Sequence, residues 1–247
     1  MLSSKSLPMT MKAIACGRKV SRAYSAKAMA FIVIGNDFDE SMLKYKSDPR
    51  LHYFDEGGRL RRIDYELSTA RKLLRYSAFV RYVMFNLIAD RRVEQLVRSL
   101  RHAPGAETYL DATPQAQWRR LPGSKKAVDY FLEQLPARTG LDSGAILFVL
   151  DAQRPALYSD ETLREAERSA QGFLRRYFTA EARSRGYEVL DMQPAFSDRH
   201  RRDGARFEFP SDNHWNELGH RLVADQIQAS AVFARLFGTV EPAAAVR

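Results

Sequence analysis

Cysteine and long apolar runs are the two things this sequence most clearly lacks. Of its 247 residues only Cys16 is a cysteine, so no internal disulfide and no multi-cysteine metal site can form. The most apolar segment, Ala78 to Ala89, contains Arg81 and is shorter than the roughly 20 residues of a membrane-spanning helix. The sequence therefore predicts neither disulfide bonds nor an ordinary membrane span.

Acidic residues are missing from the first 36 positions, which hold six Lys or Arg side chains. This composition faintly resembles an organelle transit peptide, but it lacks the apolar core of a secretory signal. The sequence indicates no export route and leaves the compartment open, with the cytoplasm as the default.

The whole chain is basic, with a formal net charge of +9. The arginines are scattered rather than gathered into a stripe with aromatic residues, so we expect no nucleic-acid partner. Residues 64–100 combine apolar positions at helical spacing with a basic face. Two interpretations of this segment stay open: an interfacial helix on an anionic membrane surface, or a covering helix within an insertion.

Three short apolar runs are typical of buried parallel strands. Each is followed by acidic or amide residues, and functional side chains gather at the carboxyl ends of such strands. The runs are Met29 to Gly35 before Asn36-Asp37, Ala145 to Leu150 before Asp151, and Tyr187 to Leu190 before Asp191.

Helices are predicted between these strands. We expect one from Ser124, as its N-cap, to Leu135, and another over residues 160–185 that stops at Gly186. Residues 102–123 contain three prolines and are predicted to be a surface loop. The alternation of predicted strands and helices indicates a single α/β domain over residues 1–247. We expect a three-layer α/β/α arrangement around a parallel, doubly wound sheet. Residues 42–123 are predicted to be a helical insertion or lid.

The most informative motif lies near the C-terminus, where Asp212 stands two residues before His214. The pair is predicted to lie in a loop ahead of an amphipathic helix. A carboxylate beside an imidazole is the orienting acid and the general base of a hydrolytic triad. His220 is six residues further on, a spacing that does not place two imidazoles on one helical face, so no metal site is predicted.

Asn36 is a second candidate site residue, because it follows the first predicted strand. Its amide is suited to donate a hydrogen bond to a developing oxyanion. The alternative is an Asn-Asp turn that caps the next helix. Ser41 lies nearby, but we expect it to belong to the turn after the strand rather than to act as a nucleophile.

Together, Gly35-Asn36-Asp37 and Asp212-Asn213-His214-Trp215-Asn216 resemble the SGNH/GDSL hydrolase superfamily of esterases and acetyl-hydrolases. The resemblance implies a flavodoxin-like α/β/α fold, with Asn36 as oxyanion donor, His214 as general base and Asp212 as orienting acid. It also implies no metal or other cofactor, and a small acyl ester or acylated glycan as substrate. The family usually places its acid three residues before the histidine; the shorter spacing occurs in relatives that acetylate polysaccharides.

One departure from the family is large, because the sequence contains no Gly-Asp-Ser block for the nucleophile. We therefore expect an N-terminally incomplete domain that lacks the first strands of the sheet and has little or no ester-hydrolase activity. A non-catalytic binding module and a polysaccharide O-acetyltransferase-like protein remain as alternatives, so whether the chain is an enzyme stays open. The sequence does not specify the ester, the choice between hydrolysis and transfer, or the oligomeric state.

Overall fold

The computed structural model describes residues 17–34, 37–45, 51–64, 113–209 and 212–238, with the backbone alone at Pro155, Asp212 and Asn213. Residues 17–23 are helical. The named elements that follow in chain order are β1 (Met29–Val33), β2 (His52–Phe54), β3 (Leu60–Arg62), α1 (Pro114–Thr139), β4 (Ile146–Leu150), α2 (Asp160–Arg168), α3 (Ala170–Ser184), β5 (Glu188–Asp191), α4 (Met192–Asp203), β6 (Glu208–Phe209), β7 (Asp212–Trp215), α5 (Glu217–Gln228) and α6 (Ala231–Phe237).

The described central sheet has three parallel strands in the order β1-β4-β5. All five residues of β4 are buried, as expected for a strand that has a neighbour on each side and helices on both faces. The predicted α/β class is therefore confirmed, and the described strands form a small parallel sheet. Two antiparallel hairpins, β2-β3 and β6-β7, stand outside this sheet.

Successive residues of β4 enter two different hydrophobic cores, since side chains alternate across a strand. Phe148 and Leu150 pack in one core with α1 and α3, whereas Leu147 and Val149 pack in the other with α4 and α5. Both faces of the sheet are thus covered. The first core is rich in aromatic rings, with Phe148 in edge contact with Phe178 at a centroid distance of 5.0 Å.

The strand register brings the carboxyl ends of the three strands to one edge. Val33 pairs with Leu150, and Leu150 pairs with Asp191. The Asp151 amide extends the ladder by donating to the Val33 carbonyl at 2.9 Å. Acidic residues that are far apart in sequence therefore stand at neighbouring positions on this edge.

The predicted loop over residues 102–123 is wrong for its last ten positions, because α1 begins at Pro114 rather than after Ser124. The Thr113 hydroxyl accepts from the Ala116 amide at 3.2 Å and caps the helix. Proline is well suited to the first helical position, where its missing N–H would have no intrahelical partner. Pro122 is tolerated inside the helix, whose long buried face runs from Ala116 to Thr139.

Two further elements differ from prediction. The helix expected over 160–185 is broken at Ser169, whose hydroxyl caps α3 by accepting from the Gly172 amide at 3.1 Å. A Cβ at Gly172 would lie 2.4 Å from the Ala166 carbonyl oxygen, so the tight junction requires glycine there. The predicted stop at Gly186 is confirmed by its positive φ of 82°. The segment with Asp212 and His214 is strand β7 rather than a loop.

Residues 65–112 lie outside the described ranges, so the predicted helix over 64–100 and the insertion over 42–123 stay predictions. Within the part of the chain that is described, no helix is long and apolar enough to cross a membrane.

Candidate functional site

Strand β7 carries the histidine motif and pairs with β6, so that Glu208 faces Trp215 and Phe209 faces Asp212. His214 is exposed, whereas its neighbour Trp215 is buried. Because side chains alternate along a strand, the two rings point to opposite sides of the hairpin.

The residues after His214 have structural roles that explain the rest of the motif. The Asn216 side chain caps α5 by accepting from the Gly219 amide at 3.0 Å. Its Nδ2 donates to the carbonyls of Arg206 at 2.9 Å and Glu208 at 3.2 Å. Gly219 allows close approach, since a Cβ there would lie 2.8 Å from the Phe207 carbonyl oxygen. These contacts fix β7 between β6 and α5.

Trp215 ties this hairpin to the central sheet. Its indole Nε1 donates to Asp151 Oδ1 at 2.8 Å, and Arg154 Nη2 donates to Asp151 Oδ2 at 2.9 Å. Asp151 follows β4 directly and is only 9% exposed. A buried carboxylate needs such partners, because an unpaired charge is costly to bury. The contact therefore holds the histidine-bearing strand near the carboxyl end of β4.

A second ion pair lies beside the first, at the end of β5. The Arg175 guanidinium from α3 binds both carboxylate oxygens of Asp191. Its Nη1 also donates to Gln193 Oε1 at 2.8 Å and to the Asp151 carbonyl at 3.3 Å. Burial lowers the pKa of Arg175 to about 10, against the opposing effect of Asp151 and Glu167. Arg175 still stays protonated at neutral pH and links the ends of β4 and β5.

Glu208 of β6 is held by a tyrosine. The Tyr158 hydroxyl donates to Glu208 Oε2 and accepts from the Phe207 amide. Burial, followed by the bond to Glu208, raises the pKa of Tyr158 to about 12. The carboxylate of Glu208 is thereby fixed next to β7.

A cavity of about 640 Å³ opens at this edge of the sheet. This volume is within the range of about 300–1,000 Å³ that is typical of small-molecule sites. The described lining combines apolar side chains from β1, β4, α3 and the turn after β1 with polar side chains from the β4–α2 connection, α2, α3 and β6. It includes Val33, Phe38, Phe178, Gln153, Arg154, Thr162, Glu165, Gln171, Arg175 and Glu208. His214 is not among its described lining residues.

Asn36 lies outside the described residues, so its approach to His214 stays a prediction. The residues on either side of Gly35-Asn36 are joined by a hydrogen bond, which the Ile34 amide donates to Asp37 Oδ2 at 2.9 Å. Ser41 is fully buried, and its hydroxyl donates to the Asp37 carbonyl. This agrees with the interpretation of Ser41 as part of the turn after β1.

The two acids that follow β4 and β5 were suggested by their positions after apolar runs, whereas their partners were not. Trp215 was noted only as part of the histidine motif. Arg175 had no signal, because its bond to Asp191 joins two elements that are 16 positions apart in the sequence. Across the described ranges, no group of three or more His, Cys, Asp or Glu residues is arranged to hold a metal ion.

Comparison with known proteins adds one finding. The sequence profile of the family described as the SGNH hydrolase-like domain of the acetyltransferase AlgX matches residues 119–246. This is a little over half of the chain, and it includes Asp151, Asp191 and the whole histidine motif. No curated protein and no solved structure matches the chain.

Proposed function

Because this chain belongs to the family of the SGNH hydrolase-like domain of the acetyltransferase AlgX, we propose that it acts on acyl esters of a glycan. His214 is the general base, Asp212 orients its imidazole, and Asn36 donates to the oxyanion. A hydroxyl of water or of an acceptor sugar attacks the acyl carbonyl and passes its proton to His214, while the Asn36 amide stabilises the negative charge that develops on the carbonyl oxygen. His214 then returns the proton to the departing alkoxide as the bond between the carbonyl carbon and the ester oxygen breaks. The proposed chemistry uses no metal or other cofactor.

The observation that carries the proposal is the bond from Trp215 to Asp151. It joins the histidine-bearing strand to the carboxyl end of β4, and ligands of open parallel sheets bind in the crevice at this edge. Asn36 is three residues past the end of β1 in the sequence. The last residue of β1 pairs with the last residue of β4. Both observations support the proposal that Asn36, Asp212 and His214 act together at this edge of the sheet.

We propose the three-layer, doubly wound SGNH architecture for the whole domain. The support is the parallel order β1-β4-β5 together with two hydrophobic cores on opposite faces of β4. In this assignment β4 and β5 correspond to the fourth and fifth strands of the family sheet.

We expect ester turnover by this chain to be very low, because the sequence contains no Gly-Asp-Ser block that would supply the usual nucleophile. His214 can still act as a general base toward a water or sugar hydroxyl, an effect that typically contributes about 10²–10⁴-fold. This residual rate is the appropriate readout. The absence of a Gly-Asp-Ser block also favours a second candidate function, a non-catalytic module that binds acylated glycans.

The first experiment measures the release of p-nitrophenol from p-nitrophenyl acetate above the buffer rate. His214→Ala should abolish the excess rate, and Asn36→Ala should reduce it by roughly a hundredfold or more. His220→Gln is the matched control, since His220 is also exposed and contacts Trp215. Equal excess rates in the wild type and His214→Ala would reject the catalytic assignment.

The second candidate is tested with an acetylated oligosaccharide. Binding without any excess turnover, unchanged in His214→Ala, supports the binding module. Turnover that depends on His214 supports the enzyme.

A further inference from the structure

Two exposed aromatic side chains meet where α1 and α3 lie side by side. Trp118 of α1 is 45% exposed, and Phe173 of α3 is 37% exposed. Their ring centroids are 6.2 Å apart, and the ring planes are tilted by 55°. The two rings therefore form an angled pair that is partly open to solvent, an arrangement that can hold the ring of a ligand.

A lysine is fixed beside this pair. Lys125 is seven residues after Trp118 and so lies on the same face of α1. Its Nζ is 4.3 Å from the ring centroid of Tyr177 and 5.9 Å from that of Phe173, within the range of cation–π attraction. Among the described residues Lys125 has only these ring contacts, so its N–H donors are available to a ligand that lies on the rings.

The aromatic pair is next to the cavity at the carboxyl edge of the sheet. Gln117 and Gln171 line that cavity. Gln117 directly precedes Trp118, and Gln171 is two residues before Phe173. Each residue of a helix advances the chain by only about 1.5 Å. A polymer with one residue in the cavity would therefore have the aromatic pair within reach of a neighbouring residue.

The size of the exposed surface limits what it can bind. Aromatic side chains offer about 150–250 Å² each, so the exposed fractions of Trp118 and Phe173 amount to on the order of 200 Å² together. Within α1 and α3, both described over their whole length, no other large apolar side chain is exposed. A stable protein interface needs about 800 Å² from each partner. The pair is too small for a protein and suits one small ring.

A pyranose ring matches the chemistry of this surface. Its faces carry C–H groups with partial positive charge, and the faces of aromatic rings carry the negative part of the quadrupole. The hydroxyls around its edge accept hydrogen bonds from an ammonium group such as that of Lys125. A membrane surface matches less well, because stable anchoring takes a large apolar helix face or a second signal.

We propose that Trp118 and Phe173 bind a pyranose ring of the glycan by stacking, with Lys125 donating to its hydroxyls. The inference rests on the proposed function and adds that the substrate is an oligosaccharide or polysaccharide that extends beyond the residue in the cavity. All three are binding residues, separate from the proposed chemistry at His214.

The first test is calorimetric titration of the intact chain with O-acetylated cellohexaose and with O-acetylated hexagalacturonate. At least one should bind, and Trp118→Ala should weaken this binding by about tenfold or more. Trp118→Phe keeps an aromatic face, so its affinity should stay within about threefold of the wild type. Tyr24→Ala is the matched control, because it removes a ring that is 80% exposed and lies outside α1 and α3. It should have no effect.

The second test reports on contact at Trp118 and does not depend on a change in stability. The chain contains two tryptophans, and Trp215 is buried, so the emission that acrylamide quenches comes from Trp118. The hexasaccharide that binds should protect this emission in the wild type. In Trp118→Phe the protection should disappear although binding persists.

Three results would overturn the inference. They are no binding of either hexasaccharide at millimolar concentration, equal affinity in the wild type and Trp118→Ala, and protection of Trp118 by phosphatidylglycerol vesicles but by neither hexasaccharide. The last result would indicate a membrane contact instead. The proposed acyl chemistry is judged separately, because p-nitrophenyl acetate contains no sugar.

Discussion

At the scale of single residues, the bond between Trp215 and Asp151 connects the histidine motif to the sheet. An indole N–H that donates to a buried carboxylate is a charge-assisted bond, stronger than one between neutral groups. Without this bond, the Asp151 carboxylate keeps its ion pair with Arg154. The bond is therefore important both for stability and for the position of His214.

Trp215→Phe should reduce the free energy of unfolding by about 1.5–3 kcal/mol, since hydrogen bonds to charged groups contribute about this much. Urea denaturation measures the change, and the excess esterase rate should fall with it as β7 loses its anchor. Trp118→Phe is the control, because Trp118 is 45% exposed and lies on α1. Equal stability losses in the two variants would show that the Asp151 bond is not important.

Other residues show where sequence reasoning stopped. Asp212 and His214 were recognised from their spacing, and Asp151 and Asp191 from the strands before them. Nothing in the sequence revealed that two donors of Arg154 would be buried with no hydrogen-bond partner among the described residues. That property depends on packing in three dimensions, which a linear pattern does not contain.

At the scale of elements, continuous apolar runs predicted the three parallel strands to within one or two residues. Proline content misplaced the start of α1, because the capping by Thr113 and the buried face of the helix outweigh the cost of Pro122. Strand β7 was missed because Asp212–Trp215 has no alternation of apolar residues. Its strand conformation comes from pairing with β6 and from the contacts of Trp215 and Asn216.

Tyr187 links two of these elements and provides a pH test. Its hydroxyl donates to the Leu132 carbonyl of α1 at 2.8 Å, and burial raises its pKa from 10.0 to about 12. The folded protein therefore holds this proton more tightly than the unfolded chain does. The resulting stability is complete below pH 10 and is lost as the pH rises toward 12.

The expected outcome is an unfolding free energy that declines between pH 10 and 12, with a shallower decline in Tyr187→Phe. Tyr24→Phe should leave the decline unchanged, since Tyr24 is 80% exposed. A Tyr187 that titrates at the ordinary tyrosine pKa, by ultraviolet difference spectroscopy, would contradict the assignment.

At the scale of the whole molecule, one edge of the described sheet is relevant to self-association. Among the described strands, β1 pairs with β4 on one side and has no strand on the other. Phe31 and Val33 are buried against the core, whereas Ile34 is 51% exposed. An unprotected apolar edge is a template for pairing with a second chain.

We therefore expect the 247-residue chain to self-associate in a concentration-dependent way despite its net charge of +9. Ala30→Lys places a charge at an exposed position of β1 and should reduce the association. Sedimentation velocity over a range of concentrations measures the self-association of the wild type and of Ala30→Lys. A cooperatively melting monomer at every concentration would show that the edge is protected.

The central claim is that Asn36, Asp212 and His214 meet at the carboxyl edge of the sheet. The most direct measurement is the distance between the Asn36 amide and the His214 imidazole in a crystal structure of the chain with an acylated oligosaccharide. The account predicts about 10 Å or less, a gap that one acyl carbonyl and its nucleophile span through hydrogen bonds of about 3 Å. Side chains at opposite ends of the sheet would contradict it.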